Sequence, residues 1–187
     1  MTVPADLDAR FRARAAEEGL LDVATAAHET PIGTLLLAAT AAGLCTVAFD
    51  PEPEATEERL ARRFGARVLR SPRPLDPVRR QLDDYFEGRR RSFDVDLDLG
   101  TVTGEFGRLV LAELARVPYG STTTYGSLAA RTGRPRAARA VGTVMNRNPL
   151  PIVLPCHRVV GSTGSLVGYA GGLERKERLL RLEGVAL

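Results

Sequence analysis

Cysteine, histidine and lysine are all scarce in this chain of 187 residues, and each shortage removes a class of function. Two cysteines, Cys45 and Cys156, provide neither a disulfide framework nor metal-ligand spacing. With only His28 and His157 to add, a structural zinc site lacks ligands, and no metal is expected. No apolar run approaches the ~20 residues that a membrane helix requires. The opening "MTVPADLDARFRARAAEEGLLDV" carries acids and has no apolar h-region, so no secretory signal is expected. These shortages predict a cytoplasmic protein with reduced thiols and no membrane association. The first hundred residues also lack a phosphate-binding glycine loop.

A further absence is local. From Leu114 to Leu173 there is no Asp or Glu, yet the stretch holds Arg116, Arg131, Arg134, Arg136, Arg139, Arg147 and Arg158. Seven positive charges against a chain total of +3 leave the remainder near −4. Such a block suits a polyanion, where each phosphate contact adds salt-dependent affinity. Chance clustering in an arginine-rich chain whose only lysine is Lys176 is the bland alternative.

The pattern of elements divides the chain in two. Residues 1–20 suggest a short amphipathic helix, with Leu7, Phe11 and Ala15 on one face. Three strand-like runs follow, "LDVATAAHE", "GTLLLAATA" and "GLCTVAFD", separated by Pro31-Ile32-Gly33 and Ala42-Gly43. "ATEERLARRFG" and "LDPVRRQLDDYFEG" read as helices closed by Gly65 and Gly88, and "SFDVDLDL" alternates as a strand does. This first part is a small α/β unit, and it reads as scaffold.

Beyond Gly100 helical spacing dominates. "TGEFGRLVLAELARV" places Phe106, Leu109, Val110, Leu114 and Val117 on one face, with Thr103 and Glu105 in its first turn. "TYGSLAARTG" and "PRAARAVGTVMNR" form two shorter helices around Gly133-Arg134-Pro135, with Pro135 at the start of the second. Helix, tight turn and arginine-bearing helix is the helix-turn-helix arrangement. Ala137, Ala138, Ala140 and Gly142 leave the second helix nearly bare, suited either to tight packing or to close approach to another surface. Arg139 projects from it.

"NRNPLPIVLPCHRVVG" follows directly. Pro149, Pro151 and Pro155 exclude a helix, and the apolar residues around them predict Cys156 at the inner end of a buried strand. A buried thiol is ordinarily inert, because burial disfavours the thiolate. As a nucleophile, Cys156 needs a base or oriented backbone donors. Neighbouring side chains on an extended chain point apart, so His157 fits a relay through a water better than direct contact. A carboxylate behind the histidine would fix its tautomer, and spacing does not say which one.

"RAVG", "NPLPIVLPCHRVV", "GYAGGLERKERLL" and "LEG", in register from about Tyr125 onward, resemble the O6-alkylguanine-DNA alkyltransferases. These are the methylated-DNA–protein-cysteine methyltransferases; "ETPIGTLLLA" near the front fits them as well. The resemblance implies an α/β (α+β) fold. A small N-terminal mixed sheet with helices, ribonuclease H-like, would span residues 1–100. A mainly helical C-terminal domain with the helix-turn-helix would span 101–187. It implies single-turnover repair, with an alkyl (methyl) group passing irreversibly from O6-alkylguanine to Cys156. The protein would bind in the minor groove with the base flipped, and no cofactor is called for.

Residue by residue, the resemblance makes Cys156 the alkyl acceptor and His157 its base through a water. Glu183 would hold the histidine, and Asn148 would stabilise the bend that presents the segment. Tyr125 would crowd a phosphate and favour base rotation, and Arg139 would replace the expelled base. Thr124, Arg136, Ala138, Ala140 and Gly142 would complete the DNA surface. The carbonyls of Cys156 and Val159, the Tyr125 hydroxyl and the Ala170 amide would read the base. Met145, Arg158 and Tyr169 would line the same pocket. Ala170 stands where some relatives carry serine. The implied partner is double-stranded DNA containing O6-alkylguanine, met by a monomer, with cooperative binding left open.

Competing readings differ in stoichiometry. A damage-binding protein of the same fold would lack the acceptor cysteine that this chain has. A cysteine hydrolase would need an oxyanion hole and a histidine free to reach the thiol. A redox regulator would need a resolving thiol, and Cys45 lies in the other part of the chain.

Overall fold

The computed structural model describes residues 4–49 and 52–186. The first three residues of the expected N-terminal helix, and the Asp50 that ends the third strand-like run, lie outside them. The chain forms two compact units. One gathers the chain up to Asp84 with Phe93–Thr101, and the other takes Tyr85–Ser92 with Val102–Leu187. The division is discontinuous, with Tyr85–Ser92 joining the second unit and Phe93–Thr101 the first.

In the first unit, β1 (Val23–His28), β2 (Leu35–Thr40) and β3 (Gly43–Phe49) form an antiparallel meander. The three runs of β-branched and small apolar residues therefore do what their composition predicts. A fourth strand, β4 (Val68–Arg70), pairs parallel with β1 and makes the sheet mixed, in the order β3-β2-β1-β4. Only three residues long, β4 has too short a run to show a period in the sequence. Helix α2 (Pro53–Phe64) supplies the crossover to it and buries Leu60 against Val23, Ala38 and Cys45. Burial of each such leucine contributes about 1.5–3 kcal/mol.

"SFDVDLDL" is not a strand of this sheet. It runs beside β3 through one isolated bridge, Leu44 to Leu97, with hydrogen bonds from Leu44 N to Asp96 O (2.8 Å) and from Asp98 N to Leu44 O (2.9 Å). Its alternating aspartates keep it at the rim. Gly43 permits this approach, since a Cβ there would stand 2.3 Å from the Asp96 carbonyl oxygen. The N-terminal helix α1 (Ala5–Glu17) forms, but it buries only one residue of its expected apolar face. Ala15 is buried while Leu7 and Phe11 are 54% and 64% exposed. Arg12 instead reaches the Arg70 carbonyl.

Helix α3 (Asp76–Phe86) follows a 3-10 turn at Arg73–Leu75, and its last two residues belong to the second unit. There, α4 (Glu105–Ala115) starts at Gly104, and Thr103 makes no cap. It packs on α5 (Tyr125–Arg131) and α6 (Ala138–Asn146), which pack on each other. Val110, Leu111, Leu114, Leu128, Ala129 and Val141 form the buried seam. Pro135 and Arg136 lie in the turn before α6 and not in its first turn, because the helix begins only at Ala138. Two-residue strands β5 (Thr123–Thr124) and β6 (Val159–Val160) pair in parallel, and α7 (Leu173–Leu182) closes the unit. Among the described residues, no helix is long and apolar enough to cross a membrane.

Candidate active site

The segment ahead of Cys156 is held by one side chain. Asn148 Nδ2 donates to the Leu154 carbonyl (2.8 Å), while Asn148 Oδ1 accepts from Leu150 N (3.0 Å). Leu154 N closes the same loop on Leu150 O at 2.7 Å. Inside it, Ile152 takes φ 75°, a left-handed conformation that costs a β-branched residue about 1–3 kcal/mol. Burial of the Ile152 side chain, 1% exposed, holds it there.

Cys156 does not end a strand. It opens a 3-10 turn, Cys156–Arg158, and β6 begins only after it. The turn follows from Pro155, whose ring permits the bend and whose carbonyl accepts from Arg158 N (2.9 Å). Burial pushes the Cys156 thiol up to about 11. The Asn148 side chain, the backbone amides of the turn and the Lys176 charge all oppose that rise.

His157 is fully buried, and its Nε2 stands 2.8 Å from Glu183 Oε1. Burial lowers its pKa below the ordinary histidine value despite the carboxylate. Glu183 is itself enclosed, which alone would raise its pKa. The hydrogen bonds from His157 and Arg158 outweigh that and bring it down to about 2. An ionised Glu183 must receive the proton of Nε2, so the imidazole is neutral with its lone pair on Nδ1. Nδ1 is buried and has no hydrogen-bond partner among the described residues.

Glu183 is the centre of this cluster. Oε1 accepts from Tyr85 Oη (2.7 Å), His157 Nε2 and Arg158 Nη2 (2.9 Å). Oε2 accepts from Arg158 Nε (2.9 Å) and Gly120 N (3.3 Å). Gly120 sits at φ 73°, and a Cβ on it would meet the Glu183 carbonyl at 3.0 Å, so the turn "PYGS" requires glycine. Arg158 also donates to the Val117 carbonyl and stacks over the Tyr119 ring. Its guanidinium is directed at Glu183.

Sequence reasoning passed over Lys176 and Tyr85. Lys176, the sole lysine, is fully buried on α7, and its Nζ donates to the carbonyls of Val159 and Val167 (2.8 Å). Burial lowers its pKa to about 8. The one lysine in an arginine-rich chain was the available signal. Tyr85 carried no signal beyond an aromatic pair at a helix end.

The remaining expected residues surround this centre. Tyr125 opens α5, and its hydroxyl is 3.3 Å from Val167 O and 3.4 Å from Gly168 O. Burial and the nearby Cys156 raise its pKa, so the phenol is protonated. Val159 and Met145 are buried, Tyr169 is half-buried and Ala170 is exposed. Burial likewise raises Tyr169. Thr124 caps α5, accepting from Ser127 N (3.0 Å). On α6, Arg139 and Ala140 are exposed, whereas Ala138 and Gly142 are half-buried. A Cβ at Gly142 would reach ordinary contact with the Tyr125 ring at 3.9 Å.

Of the basic block, Arg158 alone is buried. Arg116 and Arg131 are exposed but pair with Glu113, and the exposed Arg134 lies 5.0 Å over the Phe106 ring. Arg136, Arg139 and Arg147 are exposed, on α6 and at its two ends. No cluster of His, Cys, Asp or Glu able to hold a metal occurs among the described residues.

Residues 105–185 match the 6-O-methylguanine DNA methyltransferase DNA binding domain, and residues 23–99 match the ribonuclease-like domain of the same enzymes. A methylated-DNA–protein-cysteine methyltransferase of Methanosarcina acetivorans is 44% identical over 160 residues, covering 85% of this chain and 97% of the relative. The Mycobacterium tuberculosis O6-methylguanine methyltransferase is similar in structure, with TM-score 0.72, 37% identity, and 86% and 92% of the two chains covered. Mycobacterium tuberculosis OGT in complex with DNA gives TM-score 0.73 at 37% identity, covering 86% of this chain and 91% of that one. With the cysteine, histidine and carboxylate assembled in this way, the chain belongs to the methylated-DNA–protein-cysteine methyltransferase family.

Proposed function

We propose that this protein repairs O6-alkylguanine in double-stranded DNA by moving the alkyl group to Cys156, once per molecule. The observation that carries the reading is His157 Nδ1, buried and without a partner among the described residues, while Nε2 is committed to an ionised Glu183. That imidazole can accept a proton only on the side away from Glu183. A water between Nδ1 and the Cys156 thiol would complete the relay.

The methyl on O6 is out of reach while guanine is stacked, so the nucleotide must rotate out at a cost of a few kcal/mol. Arg139 on the exposed face of α6 enters the duplex from the minor groove and takes the place of the base. Arg136 and the small Ala138, Ala140 and Gly142 let the helix approach the backbone. Tyr125 crowds a phosphate, and with the Val159 and Cys156 carbonyls and the Ala170 amide it reads the flipped base. The Cys156 thiol gives its proton to His157 through the water. The thiolate attacks the methyl carbon, the C–O6 bond breaks with its electron pair on the guanine, and the guanine takes up the proton. A thioether and an unmodified guanine result, with no cofactor required. A thioether has no ordinary route back to the thiol.

The protein acts as a monomer in the cytoplasm, where it meets DNA. The test is a titration of duplex carrying one O6-methylguanine against protein, with restored guanine counted by chromatography. Repair that stops at one lesion per protein, and is abolished in Cys156→Ala while that variant still binds the duplex, is expected. Continued turnover overturns the reading, and so does binding without repair, which would leave a damage-binding protein.

A further inference from the structure

We infer that Tyr85 is a positioning residue for alkyl transfer, its hydroxyl fixing the Glu183 carboxylate that orients His157. The inference rests on the function proposed above. Tyr85 lies in the stretch that reads as scaffold, yet it belongs to the same unit as Glu183. Its ring is fully buried, and it meets Phe86 and Tyr119 edge-on, with centroids 5.3 Å and 6.1 Å away. Those contacts aim the hydroxyl at Glu183 Oε1, 2.7 Å distant. Oε1 is also the oxygen that receives His157 Nε2.

The choice of oxygen gives the hydroxyl its effect. Burial and the Glu183 charge raise the Tyr85 pKa far above the ordinary phenol, so it donates throughout the working range. Its hydrogen bond withdraws charge from the oxygen that faces the imidazole. Without it, Glu183 would pull harder on Nε2–H and His157 would become more basic. More of the histidine would then be protonated at neutral pH, unable to accept from the thiol. The charged and titratable groups facing the pair are Tyr85 from α3, Arg158 and His157 from the active-site turn, and Tyr119 from the turn after α4. Lys176 from α7 adds its charge at His157, and Arg91 lies over the Tyr119 ring. Beside the neutral imidazole and the Arg158 cation, Tyr85 is a further uncharged donor to Oε1.

The experiment measures single-turnover methyl transfer from a duplex with one O6-methylguanine between pH 5 and 9. It compares the parent, Tyr85→Phe, Glu183→Gln and the double variant. Tyr85→Phe keeps the ring and its edge contacts. It is expected to transfer about tenfold more slowly at pH 7, equivalent to about 1.4 kcal/mol, with the acid limb of its profile moved to higher pH. Its affinity for undamaged duplex is expected to match the parent. In the Glu183→Gln background the same substitution should cost little more, because the carboxylate charge that the hydroxyl moderates is gone. Tyr119→Phe, whose hydroxyl serves the Leu182 carbonyl, is the packing control and should leave the limb in place.

A parental rate with an unmoved acid limb for Tyr85→Phe overturns the inference, as does an equal loss in the Glu183→Gln background. A second measurement needs no Tyr85 variant. The Tyr85 hydroxyl proton should appear in the parent as a slowly exchanging, downfield NMR resonance that Glu183→Gln removes, and its absence in the parent likewise overturns the inference. A parent that transfers no methyl refutes the proposed function instead.

Discussion

Replacing Glu183 with glutamine tests how much of the second unit depends on one buried carboxylate. Three donors converge on Oε1 and two on Oε2. Whichever oxygen becomes the amide NH2, at least two donors face a donor, one of them on the buried Arg158 guanidinium. Breaking a buried ion pair by removing one member costs about 3–5 kcal/mol. Titration leads to a similar figure. The Glu183 pKa falls from the usual 4.5 to about 2 on folding, which corresponds to about 3 kcal/mol of stability at neutral pH. The folded pKa lies below the unfolded one, so the unfolded chain binds the extra proton. The contribution is complete above pH 4.5 and is lost as pH falls toward 2. Urea unfolding followed by circular dichroism at pH 7 should show Glu183→Gln less stable by about 3 kcal/mol. Repeated at lower pH, the gap between parent and variant should narrow. A variant within about 1 kcal/mol of the parent at pH 7, with a gap that does not change with pH, would refute this reasoning.

Asn148→Ala removes both side-chain hydrogen bonds to the loop around Ile152, and should cost about 2 kcal/mol by urea unfolding together with a slower methyl transfer. Arg139→Ala lies on an exposed helix face, so its unfolding midpoint should hold while duplex affinity drops and the salt dependence of binding becomes shallower. Lys176 has a folded pKa near 8 against 10.5 unfolded, so the unfolded chain holds the proton longer. Parent stability should therefore gain a component as pH rises from 8 toward 10.5 that Lys176→Met lacks, read from denaturation midpoints across that range.

The three-stranded meander, α2, α3 and the helix-turn-helix were legible because each has a clear period and a marked end. "PCHRVV" was legible as a site because its prolines and apolar neighbours announce a buried, rigid thiol. What escaped was set by packing between distant parts of the chain. β4 exists because β1 offers it an edge, and "SFDVDLDL" is denied strand pairing although its alternation suits one. Pattern alone did not show that the buried face of α1 carries Ala15 and not Phe11. Arg158 reads as one more cation in a basic block, and only the fold turns it inward to Glu183. The roles of Tyr85 and Lys176 escape for a related reason, since each meets its partner through tertiary structure, although Lys176 stands out as the one lysine.

The most direct measurement is the mass of the peptide Asn148–Arg158, released by trypsin after incubation with one equivalent of duplex containing O6-methylguanine. One methyl increment is expected on that peptide, placed on Cys156 by fragmentation, with every other peptide unchanged and no further increment under excess duplex. An unmodified Asn148–Arg158 peptide after the lesion has been repaired, or a methyl group found elsewhere in the chain, would contradict the assignment of Cys156 as the acceptor.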